Sequence, residues 1–233
     1  MFRQFPIAVV DNFFDDPYKI RKFALSCEYT KAPGNYPGER TKMLSEIYPK
    51  YFNSFCNRLF SLFYYYEPNP NVVWNVETMF QKIYPLDDDK LSPLNSGWIH
   101  SDDETCMAAG VIYLNPNSNL DAGTSFYKLK DDVFNTLHVN YKLRNDLYAN
   151  KKVDHDSYKK ELDKLEGLYD KTLEVKNVFN RMAFYGSDIH HKENNFVASD
   201  NEPRLTQVFF VHKIQSNLQR SPLPRLQEYG IEF

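Results

Sequence analysis

"GWIHSDDETCMAAGVIYLNP" (97–116) sets His100 and Asp102 two positions apart, directly before a run of small and apolar residues. If this stretch is extended, side chains alternate faces, so His100 and Asp102 point the same way and can grip one ion. The other reading is a solvated turn that contains a histidine. Downstream, "NRMAFYGSDIHHKENNF" supplies His190 and His191 just after a second strand-like segment, and "RLTQVFFV" opens a third strand with Arg204. One carboxylate and two imidazoles suit a divalent transition metal and leave coordination positions open for other ligands. A carboxylate co-ligand of such a metal needs a cation for its far end. Arginine fits that task, because its planar fork makes a two-point contact and stays charged when buried. Alternation in "RLTQVFFV" puts Arg204, Thr206, Val208 and Phe210 on one face, so a polar pair enters a pocket whose inner end is apolar.

These residues need strands to hold them. "IAVVDNFF" (7–14) reads as a strand running into a turn, and Pro17 follows Asp15 and Asp16 at a first helical position, continued by "YKIRKFALS". "APGNYPGERT" (32–41) is a loop, and 44–63 carries apolar residues at helical spacing with an interruption near Pro49. From Val72 the texture becomes β-branched and aromatic: "NVVWNVETMFQKIYP", "CMAAGVIYL", "NRMAFYGSDIHH" and "RLTQVFFVHKI" predict short strands separated by turn residues, as in a sandwich or jelly roll. Residues 129–178 form a foreign block, highly charged with a single glycine. In it Tyr158, Leu162, Leu165, Tyr169 and Leu173 recur near a 3.6 period, which predicts an amphipathic helix, either an insertion packed on the flank of the strands or a lid or partner-binding hairpin. The closing "SNLQRSPLPRLQEYGIEF" reads as an irregular tail.

A chain of 233 residues can bury a sizeable core in one domain, and 18 Phe and 17 Tyr supply large side chains for that core or for a pocket. The net charge of −3 and pI near 6.1 give no basic footprint, so no nucleic-acid partner is expected. Cys27, Cys56 and Cys106 are odd in number and lack metal-knuckle spacing; each reads as a small buried hydrophobe in a reducing compartment. No signal peptide and no membrane span are read, and a cytoplasmic location is the expectation.

The order H-x-D, then histidine, then arginine resembles the Fe(II)/2-oxoglutarate-dependent dioxygenases, in the branch similar to prolyl 4-hydroxylases. "FQKIYPLDDDKLSPLNSGWIHSD" resembles the family's tyrosine-bearing strand and the loop before H-x-D, "AAGVIYLN" the strand after it, "AGTSFY" the turn and strand that follow, and "NRMAFYGSDIHH" the strand leading to the distal histidine. Matching segments cover about residues 76–127 and 178–213. The leading "VVDNFFDDP" and "NYPGERT" are similar to the opening of uncharacterised relatives. The resemblance implies a double-stranded β-helix, a jelly-roll or cupin-like barrel, in a single domain over 1–233. N-terminal helices within 1–70 would support it, and 129–178 would be a helical insertion. It implies His100, Asp102 and one of His190 or His191 as iron ligands, with His191 preferred from its spacing after Tyr185. It further implies Arg204, with Thr206 beside it, as the partner of the distal carboxylate of 2-oxoglutarate, and Tyr84 as a lining residue of that pocket. The implied activity oxidises a prime substrate, small molecule or protein side chain, using O2 and 2-oxoglutarate with release of succinate and CO2. The span from Asp102 to His191 is longer than usual for the family, and the 129–178 block accounts for the excess.

Two other classes fit the same barrel: a cupin-like metal-dependent isomerase or hydrolase, and a ligand-binding barrel without turnover. His138 and His155 lie in the charged block and read as solvated. His212 alternates onto the face of Arg204 and reads as a strand-end residue. Asp103 and Glu104 read as turn residues.

Overall fold

The computed structural model describes residues 7–31, 34–65, 72–102, 104–131, 139–199, 202–216 and 223–224. In chain order the elements are β1 (Ala8–Val10), α1 (Pro17–Ser26), β2 (Thr30–Lys31), β3 (Glu39–Arg40), α2 (Leu44–Ile47), α3 (Pro49–Phe63), β4 (Tyr64–Tyr65) and β5 (Val72–Ile83). They continue as β6 (Ala108–Tyr113), β7 (Thr124–Leu129), α4 (Tyr141–Tyr148), α5 (His155–Glu166), β8 (Tyr169–Val175), β9 (Met182–Gly186), β10 (His190–Glu193), β11 (Arg204–Ser216) and β12 (Leu223–Pro224). The N-terminal helices start as expected: Pro17 occupies the first turn of α1 and the Asp16 side chain accepts a hydrogen bond from Lys19 N at 3.0 Å. Pro49 ends the preceding turn, so the expected helix splits into α2 and α3 at Tyr48.

The strands form a seven-stranded sheet in the order β1-β9-β6-β11-β5-β3-β2 and a three-stranded sheet β10-β7-β8, with a separate β12-β4 pair. Every pairing is antiparallel. The large sheet is buried on both faces, which explains why β6, "AAGVIY", is apolar throughout instead of alternating. One face packs on the helices: Ala108, Ile112, Phe184, Leu205, Phe209 and Val211 share a core with Phe55, Cys56 and Leu59 of α3. The other face, with Ala109, Val111, Tyr113, Ala183 and Tyr185, meets Phe126 and Val175 of the small sheet. Gly110 is required between these layers, since a Cβ there would stand 2.3 Å from the Phe209 ring. All three cysteines are free and buried, as their sequence context suggested.

A third core joins α4 and α5 to the loop before His100: Leu147, Tyr148, Tyr158, Leu162 and Leu165 surround Trp98 and Ile99. The block at 129–178 is not helical throughout. Helix α5 stops at Glu166, Gly167 follows, and Tyr169 and Leu173 belong to strand β8 on the edge of the small sheet. The 3.6-residue stripe therefore holds for Tyr158, Leu162 and Leu165 and fails after the glycine. His138 and Asp103 lie outside the described residues, as does most of the C-terminal tail, of which Leu223–Pro224 pairs with β4. No helix among the described residues is long and apolar enough to cross a membrane.

Candidate metal centre

The segment 97–102 runs along the edge strand β10 and then reaches toward β9. Gly97 N donates to Glu193 O at 2.9 Å, His100 N to His191 O at 3.0 Å, His191 N to His100 O at 2.8 Å, and Asp102 N to Ser187 O at 3.0 Å. This backbone ladder is what gathers side chains from distant parts of the sequence. His100, Asp102 and His191 present one ligand atom each within 4.8 Å of one another. His191 Nε2 lies 3.7 Å from Asp102 Oδ2, and the two imidazole rings are 4.5 Å apart.

The second atoms of these side chains are already committed. His100 Nδ1 lies 2.8 Å from Trp98 O, and His191 Nδ1 lies 2.8 Å from Ile189 O. A carbonyl can only accept, so each Nδ1 carries the proton and each Nε2 keeps its lone pair free for a metal. Asp102 Oδ2 is buried with no hydrogen-bond partner. An orphaned carboxylate oxygen facing two unprotonated imidazole nitrogens fits a divalent cation, which would satisfy all three. Burial pulls both His100 and His191 below the usual histidine range, with His191 adding to the effect on His100. Burial also pushes Asp102 up to about 6, a rise that nearby His100 partly opposes.

The cavity beside these residues lies between the two sheets. It is lined from the large sheet by Arg40, Gln81, Tyr185, Arg204, Val208 and Phe210, and from the small one by Thr124, His191 and Glu193. The alternation expected of β11 is present: Arg204 sits at the polar end and Val208 and Phe210 at the apolar end. Arg204 is only 2% exposed. Its Nε donates to Ala122 O at 2.9 Å, while Nη2 is buried and unpartnered. Its guanidinium stands 5.6 Å from the Tyr113 ring centre, and the Tyr113 hydroxyl donates to Thr124 Oγ1 at 2.8 Å. Thr206, on the same face, is buried with its hydroxyl also unpartnered.

Of the two adjacent histidines, His191 faces the cavity, whereas half-buried His190 turns to the other face of β10, its ring 4.9 Å from that of Tyr169. The structure does not bring Tyr84 to the cavity: it lies just past the end of β5 and is 51% exposed. His212 sits at a register shift between Val211 and Lys213 and has no cross-strand partner on β5. Its ring contacts Cys106 Sγ at 3.5 Å and Glu77 at 3.5 Å. His155 is half exposed beside Asp156. Arg40, Gln81 and Glu193 were not singled out from sequence. Glu193 had a signal, since it follows His191 by two positions on a strand. Burial works to raise the Glu193 carboxyl, but His100 and Arg204 outweigh it and hold it below its ordinary range.

Residues 2–211 match the profile of a family of unknown function, DUF6445. No curated protein matches the sequence. Among solved structures, the chain is similar to a prolyl hydroxylase from Trichoplax adhaerens in complex with a hypoxia inducible factor peptide fragment, with 12% identity, 88% of this chain and 82% of that chain covered, and a TM-score of 0.50. It is similar to HygX from Streptomyces hygroscopicus with nickel, 2-oxoglutarate and hygromycin B bound, at 11% identity, the same coverages and a TM-score of 0.50. A third is the non-heme alpha ketoglutarate dependent epimerase SnoN from nogalamycin biosynthesis, at 11% identity, 97% and 93% coverage and a TM-score of 0.50. The chain has the fold of the 2-oxoglutarate-dependent oxygenases.

Proposed function

The chain belongs to DUF6445, a family of unknown function, and we propose that it is an Fe(II)- and 2-oxoglutarate-dependent oxygenase that oxidises an unidentified prime substrate. In this reading the two sheets form a double-stranded β-helix in a single domain over 1–233. The N-terminal helices back its large sheet, and the 129–178 block is an insertion that buttresses the loop before His100. Metal ligation falls to His100, Asp102 and His191. Arg204 takes the distal carboxylate of 2-oxoglutarate, with Thr206 beside it.

One observation carries the reading. A buried, partnerless Asp102 oxygen meets two imidazoles with free Nε2 atoms, and the same cavity contains a buried guanidinium with a partnerless Nη2. Unpaired buried polar atoms cost free energy, so their convergence on one cavity points to a bound metal and a bound anion. A bound Fe(II) and 2-oxoglutarate would supply oxidative decarboxylation of the co-substrate by O2, to succinate and CO2, coupled to oxidation of a substrate C–H bond.

The protein's own part is positional. The Trp98 and Ile189 carbonyls hold both histidine rings in one tautomer and orientation. Arg204 holds a carboxylate with its fork. Val111, Val208, Phe210 and Tyr185 line the cavity and keep bulk water from the reacting centre.

Anaerobic titration of the Fe(II)-loaded protein with 2-oxoglutarate tests this directly. A weak visible charge-transfer band should appear and saturate. Intact metal binding without that band would favour a cupin-like isomerase or hydrolase, and no metal binding would favour a ligand-binding barrel.

A further inference from the structure

Besides Arg204, the cavity wall carries a second guanidinium. Resting on the oxygenase reading above, we infer that Arg40 anchors an anionic oxygen group, carboxylate or phosphate, on the prime substrate.

Cross-strand pairing fixes where Arg40 lies. Arg40 pairs with Gln81, Gln81 with Thr206, and Thr206 with Tyr113, so one row of inward-facing residues crosses β3, β5, β11 and β6. Arg204 stands two positions from Thr206 on the same face. Two strand spacings separate the two arginines across the sheet, roughly 10 Å between backbones. A carboxylate gripped by Arg204 at one end of this wall therefore leaves Arg40 for a different molecule.

The side chain is held in place. Its guanidinium carbon lies 3.8 Å from the centre of the Tyr36 ring, and Nη2 donates to Gln81 Oε1 at 3.4 Å. Gln81 in turn donates from Nε2 to Pro37 O at 2.7 Å, tying down the loop that carries Tyr36. Gly38, at φ +76°, lets that loop press on β5; any Cβ there would fall 2.1 Å from Lys82 O. This is a loop built to deliver one cation to the cavity.

What the cation lacks, among the described residues, is a carboxylate in direct contact. Arg40 Nε is buried with no partner, and Arg40 forms no ion pair with any carboxylate among the described residues. Asp102 is committed to the proposed metal, and Glu77 lies 3.5 Å from His212. Burial lowers the Arg40 pKa in spite of Tyr36, Glu193, Asp102 and Glu77. A buried guanidinium left this way is costly unless a ligand supplies the missing charge.

The test uses oxygen-free protein loaded with Mn(II) and 2-oxoglutarate, and calorimetry with matched probes: N-acetyl amino acids against their primary amides, and glucose 6-phosphate against glucose. The anionic member of at least one pair should bind while its neutral analogue does not. Arg40→Met, which keeps a stem on Tyr36, should weaken that anion by roughly 30-fold or more, the loss expected for a charge-assisted contact. Arg40→Lys should recover part of it and serves as the reading if the Met variant does not fold. The 2-oxoglutarate affinity of both variants should stay within about twofold of wild type, since Arg204 lies elsewhere on the wall. Absence of any anion preference, or an anion that binds both Arg40 variants as tightly as wild type, overturns the assignment. Failure to bind 2-oxoglutarate would instead remove the oxygenase reading, and the anion preference would then be scored on the Mn(II) protein alone.

Discussion

Strand β11 has two faces with opposite habits. On the helix side, Leu205, Phe209 and Val211 are packed into the main core, and even the buried amide of Gln207 is hydrogen-bonded at both its oxygen and its nitrogen. Tyr51 donates its hydroxyl to Gln207 Oε1 at 2.6 Å, Gln207 Nε2 donates to Thr78 Oγ1 at 3.0 Å, and Thr78 donates onward to Val208 O at 2.9 Å. On the cavity side, Arg204 Nη2 and Thr206 Oγ1 are just as buried and have no partner, and Asp102 Oδ2 and Arg40 Nε share that condition. One sheet thus carries a face that folding completes and a face that a ligand must complete. Substitutions on the two faces should therefore fail in different ways.

The largest effect should come from Asp102→Ala. Stoichiometric Fe(II) binding should vanish by metal analysis while the thermal midpoint holds, because the substitution removes a buried oxygen that has no partner. His100→Ala and His191→Ala should also lose metal, and His190→Ala should keep it. If His190→Ala loses metal and His191→Ala does not, the ligand assignment is wrong. Next in size is Phe209→Ala on the packed face, where the ring lies 5.4 Å from Phe55 and 6.1 Å from Phe184. Denaturant unfolding should show a loss of about 3–5 kcal/mol, with metal affinity per folded molecule unchanged.

Arg204→Ala should leave Fe(II) affinity near wild type and weaken 2-oxoglutarate by about 2–4 kcal/mol, roughly 30- to 1000-fold. Arg204→Lys should restore only part, because a point charge cannot reproduce the fork. Acid should act on the cavity face alone. Burial raises Asp102 to about 6, so below that pH an arriving metal must displace its proton, whereas above it the carboxylate is already free. Metal affinity measured against pH should be flat above 6 and fall by about tenfold per unit below it, until the histidines add their own protons. The smallest effect belongs to Tyr51→Phe, about 1 kcal/mol of stability and nothing in metal or 2-oxoglutarate binding.

The cavity face was legible where a strand is long enough to alternate. "RLTQVFFV" announced Arg204, Thr206, Val208 and Phe210 as one face, and the same rule allowed only one of His190 and His191 to face a metal, the preference for His191 coming from the family resemblance. The rule gave no warning of the register shift at His212, which left no mark in the residue types. Tyr169 and Leu173 fitted a helical period by accident. The single glycine of the block, Gly167, was the stop signal that outranked it. Arg40 was not legible at all. Its strand is two residues long, and only the pairing with Gln81 aims it inward. Glu193 was legible in principle, two positions past His191, but a carboxylate beside an expected metal ligand invites no separate reading until its neighbours are known.

The reciprocal backbone bonds between His100 and His191 bear on how the site behaves over time. Both bonds, and the two imidazole-to-carbonyl contacts, involve protein atoms alone. Removing an ion takes away none of these bonds, so the metal-free protein should keep its ligands gathered. Loading becomes a question of an ion shedding its water shell at a finished socket, and unloading leaves no slack chain behind. Amide protons of His100 and His191 should therefore exchange with deuterated solvent at similar, slow rates in metal-free and metal-loaded protein.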